Sequence, residues 1–194
     1  MKLKIPNILT IGRIIIVPIF VITFFLPGMY GDLIPFFLFV GASFTDFLDG
    51  LLARMLKEES KLGELLDPIA DKILVCSALV LLVMNGIIKN YEVIAAIVIL
   101  TREILISSLR EFLSKISISM PVTNLAKFKT FLQMFSISLL LTGEVGNKII
   151  NFENYNAQTI GIILLWVSAF LTLYTGYGYL VKGIDHAIAE DKKN

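Results

Sequence analysis

Apolar residues in this chain do not alternate with polar ones; they run on for lengths close to the roughly 20 residues a helix needs to cross a bilayer. Such runs lie near residues 8–26, 34–54, 66–86, 91–111, 127–143 and 158–181. They predict an all-α, polytopic membrane protein with six transmembrane helices, and an even number of spans puts both termini on one side. Pro6, Asn7 and Thr10, just ahead of the first run, predict a short N-terminal helix lying in the membrane interface. The connections at 112–126 and 144–157 are the longest and are expected to be the most mobile. Six spans and their loops use up the 194 residues, so residues 1–194 are read as a single membrane-embedded domain.

Composition supports that reading: 56% of residues are hydrophobic and 17% charged, and mean hydropathy is +0.81, whereas soluble domains carry about 25% charged residues. A net charge of +1 argues against a nucleic-acid surface. All 17 Lys and Arg except Lys89 and Lys148 fall at the ends and loops on the side of the termini, so those termini are expected in the cytoplasm. Cys76, the single cysteine, excludes an internal disulfide and multi-thiolate zinc sites. Met1-Lys2-Leu3-Lys4 and the following apolar run have the outline of a secretory signal, but Arg13 and Pro18 interrupt it, so the segment is expected to be retained. With no Arg-rich, acid-poor transit segment, a bacterial cytoplasmic membrane is the expected location. Tyr174, Tyr177 and Tyr179 read as an interfacial aromatic belt.

The chemistry is concentrated where the second span ends and the third begins. Asp46, Asp49, Gly50 and Ala53 recur at i, i+3, i+4 and i+7, one helical stripe in which two carboxylates alternate with two small residues. Gly63, Asp67 and Asp71 form a second stripe at i, i+4 and i+8, with Ser60 three residues before it. Pro68 either occupies the first turn of this helix or kinks a longer one. Any one of these carboxylates alone reads as solvated or paired with a nearby Arg or Lys. Four together do not: an Asp at mid-membrane costs about 2.5–3.5 kcal/mol, and clustered carboxylates repel. The cluster needs cations. Hard oxygen ligands with no His or Cys favour Mg²⁺ or Mn²⁺, with Ca²⁺ possible, and four carboxylates suffice for two ions, a device that clamps the attacking and leaving oxygens of a phosphoryl displacement.

The segment Asp46 to Asp71 matches D-x2-D-G-x2-A-R-x8-G-x3-D-x3-D without a departure, and thereby resembles the CDP-alcohol phosphotransferases. Eight fixed letters would recur by chance on the order of once in 10¹⁰ positions. The resemblance implies a six-helix, usually dimeric membrane enzyme in which a hydroxyl displaces CMP from a CDP-linked lipid or alcohol. It implies that Asp46, Asp49, Asp67 and Asp71 hold two Mg²⁺ ions, for which Mn²⁺ can substitute, and that Asp71 is also the general base. Contacts to the CDP-lipid are implied for Gly50, Ala53, Arg54, Ser60 and Gly63, with Asn7 and Thr10 as the N-terminal contribution.

The acceptor must be read elsewhere. Glu103, Ser107 and Arg110 share a stripe of the fourth span, and Arg102 lies about 80° around the axis from Arg110 and two turns deeper. An Arg at that depth is costly unless it faces a polar cavity or an acid such as Glu103. The fifth span opens with Lys127 and Lys129, and Lys129 shares a face with Gln133. Together Arg102, Arg110, Lys127 and Lys129 are candidate ligands for an acceptor phosphate, although an Arg–Glu pair and two cytoplasmic anchors describe the same residues. These segments, with Ile5 through Arg13, resemble the branch of the family that uses glycerol 3-phosphate as acceptor and CDP-diacylglycerol as donor. The expected partners are therefore these two substrates, the lipid bilayer and a second copy of the chain, with no nucleic acid. Acceptors such as inositol phosphate, serine or phosphatidylglycerol are the nearest alternative. A cation carrier is the more distant one, and it lacks the repeated halves and broken helices such proteins often show.

Overall fold

The computed structural model describes residues 5–56, 61–115, 123–152 and 155–191. Among these the chain forms α1 (Ile5–Thr23), α2 (Met29–Leu56), α3 (Lys61–Met84), α4 (Glu92–Lys115), α5 (Asn124–Leu141), α6 (Gly143–Ile149), β1 (Asn151–Phe152), β2 (Tyr155–Asn156) and α7 (Ala157–Asp191). The fold is all-helical apart from the antiparallel β1–β2 pair, in which Asn151 lies opposite Asn156. Each predicted apolar run is a helix: α1 to α5 and α7. By length and composition, Ala157–Val181 is the one described segment that meets both measures of a membrane-crossing helix, while Thr10–Thr23 and Met29–Thr45 are shorter apolar stretches.

Three expectations change. The separate interfacial helix does not form, because Ile5 to Thr10 are the first turns of α1; Pro6 suits a first turn and no breaker follows until Pro18, which the helix absorbs. The 144–157 connection folds into α6 and the β1–β2 hairpin instead of remaining an open loop. Tyr179 leaves the aromatic belt: it is buried and its hydroxyl accepts from the Thr123 amide at 3.4 Å, while Tyr174 and Tyr177 are exposed. Pro68 lies inside α3, so of the two alternatives the longer helix is the one formed.

Helix α1 packs on α2 and α3, while α7 packs on α4 and α5; α2 and α3 join these two groups through α5 and α4. The shared apolar core is centred on Phe20, Phe39, Leu74, Leu79, Leu82, Ile99, Ile137 and Leu140. Phe20 meets Phe24 and Phe39 with ring centroids 6.3 Å apart in each case. Close helix approach depends on small residues: a Cβ on Gly161 of α7 would lie 2.7 Å from Leu140 Cδ2 of α5. Gly86, at φ +68°, ends α3 in a left-handed conformation that lets the Ile87 and Ile88 amides reach the Leu82 carbonyl. The outer surface carries many large apolar side chains, among them Ile15, Ile22, Phe37, Phe131 and Phe170, an amount that water would penalise and lipid would not.

The turn from α1 to α2, the turn from α3 to α4 and helix α6 gather around one cavity of about 760 Å³. Gly28, Asn85, Glu144 and Lys148 line it. These are the connections that alternate with the basic ones, and they meet at one end of the bundle. The aspartate-bearing ends of α2 and α3 lie at the other.

Candidate functional site

The site is assembled from the C-terminal turns of α2, the N-terminal turns of α3 and the start of α1. Asp46, Asp49, Gly50, Ala53 and Arg54 lie within α2, and Gly63, Asp67 and Asp71 within α3, so the helical spacing read from the sequence holds on both elements. Ser60 lies outside the described residues, as do the side chains of Asn7, Asp46, Asp49, Ala53, Arg54 and Asp67. Gly63 is buried, as is Thr10 of α1.

Asp71 is the predicted metal ligand whose surroundings are described. Its side chain is 37% exposed, open on one side. On the other, Arg13 Nη1 lies 3.5 Å from Asp71 Oδ1, and the Arg13 side chain is itself fully buried. In the sequence Arg13 interrupts an apolar run, falls on the side of the termini and closes the segment that resembles the glycerol 3-phosphate branch, but nothing there pairs it with Asp71. The available signal was its place one turn beyond Thr10, on the same helical face as a residue already assigned to the site. The donor chemistry fits a hard divalent cation: Asp71 presents carboxylate oxygen, its spacing matches Asp67, and no softer ligand type stands in either stripe.

A second polar centre lies where α4, α5 and α7 meet. Lys129 of α5, 2% exposed, donates from its ammonium to Glu103 Oε1 of α4. Arg102 Nη1 reaches the same oxygen at 3.4 Å, and its Nη2 donates to Thr175 Oγ1 of α7 at 3.2 Å. Gly176 makes room for this arrangement, since a Cβ there would lie 3.2 Å from Arg102 Cγ. Two cations thus share one carboxylate in a largely buried place, so among the described residues this centre carries net positive charge. Arg110 and Lys127 are exposed and belong to the surface, so the structure separates the four candidate phosphate ligands into an inner pair, Lys129 buried and Arg102 half-buried, and an exposed pair.

The polar surroundings continue inward. Lys129, Gln133 and Ser136 of α5, and Ser168, Thr172 and Thr175 of α7, recur at i, i+4 and i+7 and are all buried. Ser136 Oγ donates to the Gly161 carbonyl at 2.8 Å. Gln133 Oε1, Ser168 Oγ, Thr172 Oγ1 and Arg102 Nε are buried without a hydrogen-bond partner among the described residues, a situation that ordered water ordinarily completes.

An apolar helical bundle with a carboxylate-bearing end and an inner cationic centre defines a class of protein that holds charged groups within apolar surroundings. The chain belongs to the CDP-alcohol phosphatidyltransferase family, whose description matches residues 3–174. It is a transferase, and the family is generally dependent on a divalent metal. Over 176 residues, 91% of this chain and 93% of the relative, it is 43% identical to the CDP-diacylglycerol–glycerol-3-phosphate 3-phosphatidyltransferase of Rickettsia bellii (strain RML369-C). The enzyme of the same name from Haemophilus influenzae is 39% identical over 93% of both chains. That from Cereibacter sphaeroides is 34% identical over 96% of this chain and 98% of the relative.

Proposed function

We propose that this protein transfers the phosphatidyl group of CDP-diacylglycerol to glycerol 3-phosphate, giving phosphatidylglycerophosphate and CMP. The unbroken aspartate pattern across α2 and α3 carries the reading, and the reaction named for its relatives supports the choice of acceptor. Helices α1 to α5 and α7 span a bacterial cytoplasmic membrane with both termini and the aspartates on the cytoplasmic face. The distribution of basic residues and the lipid-like outer surface support this placement. The chain works as a homodimer, as its family resemblance implies.

Asp46, Asp49, Asp67 and Asp71 would hold two Mg²⁺ ions, replaceable by Mn²⁺, which when bound supply positive charge to the pyrophosphate and the departing CMP. Asn7, Thr10, Gly50, Ala53, Arg54, Ser60 and Gly63 shape the pocket for the CDP moiety, while the acyl chains stay in the bilayer. Lys129 and Arg102 attract the acceptor phosphate at the inner cationic centre, and Arg110 and Lys127 favour its approach from the cytoplasm. Asp71 accepts the proton of the acceptor's primary hydroxyl. That oxygen forms a bond to the lipid-side phosphorus as the bond from phosphorus to the CMP oxygen breaks, and CMP leaves with the electron pair.

The test is CMP release by the purified protein with CDP-diacylglycerol and Mg²⁺, comparing glycerol 3-phosphate, serine, inositol, inositol phosphate and phosphatidylglycerol. Release that depends on glycerol 3-phosphate is expected. Release with a different acceptor would overturn the reading of the cationic centre, and none with any acceptor would overturn the proposed transfer.

A further inference from the structure

Arg13 sits in the run Ile11-Gly12-Arg13-Ile14-Ile15-Ile16 of α1, where a guanidinium is expensive to bury unless other groups satisfy it. Its helix packs directly on α3, and Nη1 points to Asp71 Oδ1 at 3.5 Å. The two partners differ sharply in exposure: the Arg side chain is sealed, while the carboxylate keeps an open side. The contact is an ion pair at 3.5 Å, so the guanidinium acts on the carboxylate through its charge and its rigid, packed shape, which a flexible Lys would not reproduce. The Asp71 side chain thus meets a sealed cation from α1 while remaining 37% exposed.

We propose that Arg13 is a positioning residue for Asp71, fixing the carboxylate for proton acceptance and standing as a permanent positive charge behind it. The inference rests on the assignment of Asp71 to the reaction. It carries a consequence that a merely structural ion pair would not. A cation behind Asp71 opposes a second cation in front of it, so removing the charge strengthens divalent-metal binding even as it disorders the base and slows turnover. The two quantities move in opposite directions.

The experiment compares Arg13→Met and Arg13→Lys with the unmodified full-length protein in detergent. It reads kcat and KM for both substrates, Mn²⁺ binding without substrate by electron paramagnetic resonance, and thermal unfolding. Arg13→Met is expected to lower kcat at least about tenfold, to change either KM by less than about threefold, and to tighten Mn²⁺ binding by roughly three- to tenfold. Arg13→Lys keeps the charge and loses the rigid, packed shape of the guanidinium, so Mn²⁺ affinity stays within about twofold while kcat still falls. Mn²⁺ affinity falling in step with kcat and unfolding temperature would overturn the proposal, as would full kcat in a folded Arg13→Met. If Arg13→Met does not fold, full activity in Arg13→Lys overturns it alone. Asp71→Asn runs alongside: retained turnover there would remove the assignment of Asp71 itself, whereas its loss together with an unaffected Arg13→Met would overturn only the positioning role.

Discussion

Replacing Glu103 by Gln should destabilise this protein more than replacing Lys129 by Met, and making both changes should cost less than their sum. The asymmetry follows from burial. Glu103→Gln strands the Lys129 ammonium, which is 2% exposed, and stranding one partner of a buried pair costs about 3–5 kcal/mol. Lys129→Met leaves the Glu103 carboxylate, whose side chain is 25% exposed and which keeps Arg102 at 3.4 Å, so water and the remaining guanidinium reduce the cost to about 1–3 kcal/mol. With both changed, neither an ammonium nor a carboxylate is stranded. The coupling between the two sites should then be about 1–3 kcal/mol, within the span of measured interaction energies for residues in contact. The assay is a double-mutant cycle on unfolding free energy, from reversible denaturation in mixed micelles. Costs that add to within about 0.5 kcal/mol would refute the inference that these groups form one buried unit. So would a larger cost for Lys129→Met than for Glu103→Gln.

Lys129→Met should also raise the KM for glycerol 3-phosphate by roughly ten- to a hundredfold, the size expected for one charge-assisted contact, whereas Arg110→Ala and Lys127→Ala should each change it by less than about fivefold; steady-state kinetics rank the three. Gly176→Leu should push Arg102 aside, because a Cβ alone would already lie 3.2 Å from its Cγ and 3.4 Å from its Nε; acceptor KM is expected to rise about tenfold with the KM for CDP-diacylglycerol within about twofold. Chelation with EDTA should abolish CMP formation and added Mg²⁺ or Mn²⁺ should restore it, so activity persisting in EDTA would contradict the metal assignment. A donor made chiral at the lipid-side phosphorus should give inverted product; retention would mean two displacements through an enzyme-bound intermediate.

The periodic features of this protein were legible in its sequence because they are local. Apolar runs fall on α1 to α5 and α7, and the aspartate stripes depend only on the 3.6-residue repeat within α2 and within α3. What depends on contacts between distant segments was not legible. Arg13 looked like a blemish in an apolar run until α1 lay against α3 and brought it to Asp71. Lys129 and Arg102 looked like equals of Lys127 and Arg110, and it is the packing of α4 and α5 against α7 that separates a buried and a half-buried cation from two exposed ones. Glu103 was visible as a partner for its neighbour Arg102, but its capture of Lys129 from another helix was not. The extension of α7 past Val181 to Asp191 has a simpler cause: the polar tail contains neither Pro nor a terminating Gly after Gly183, so the helix continues beyond its apolar stretch.

In the proposed transfer Asp71 accepts the proton, while its neighbours in the stripes chiefly bind. The measurement is turnover and CDP-diacylglycerol affinity side by side, by single-turnover CMP release and equilibrium binding, for Asp71→Asn and Asp46→Asn. Asp71→Asn should abolish turnover while weakening donor binding less than Asp46→Asn does; equal loss of binding in the two variants, or measurable turnover in Asp71→Asn, would contradict the account.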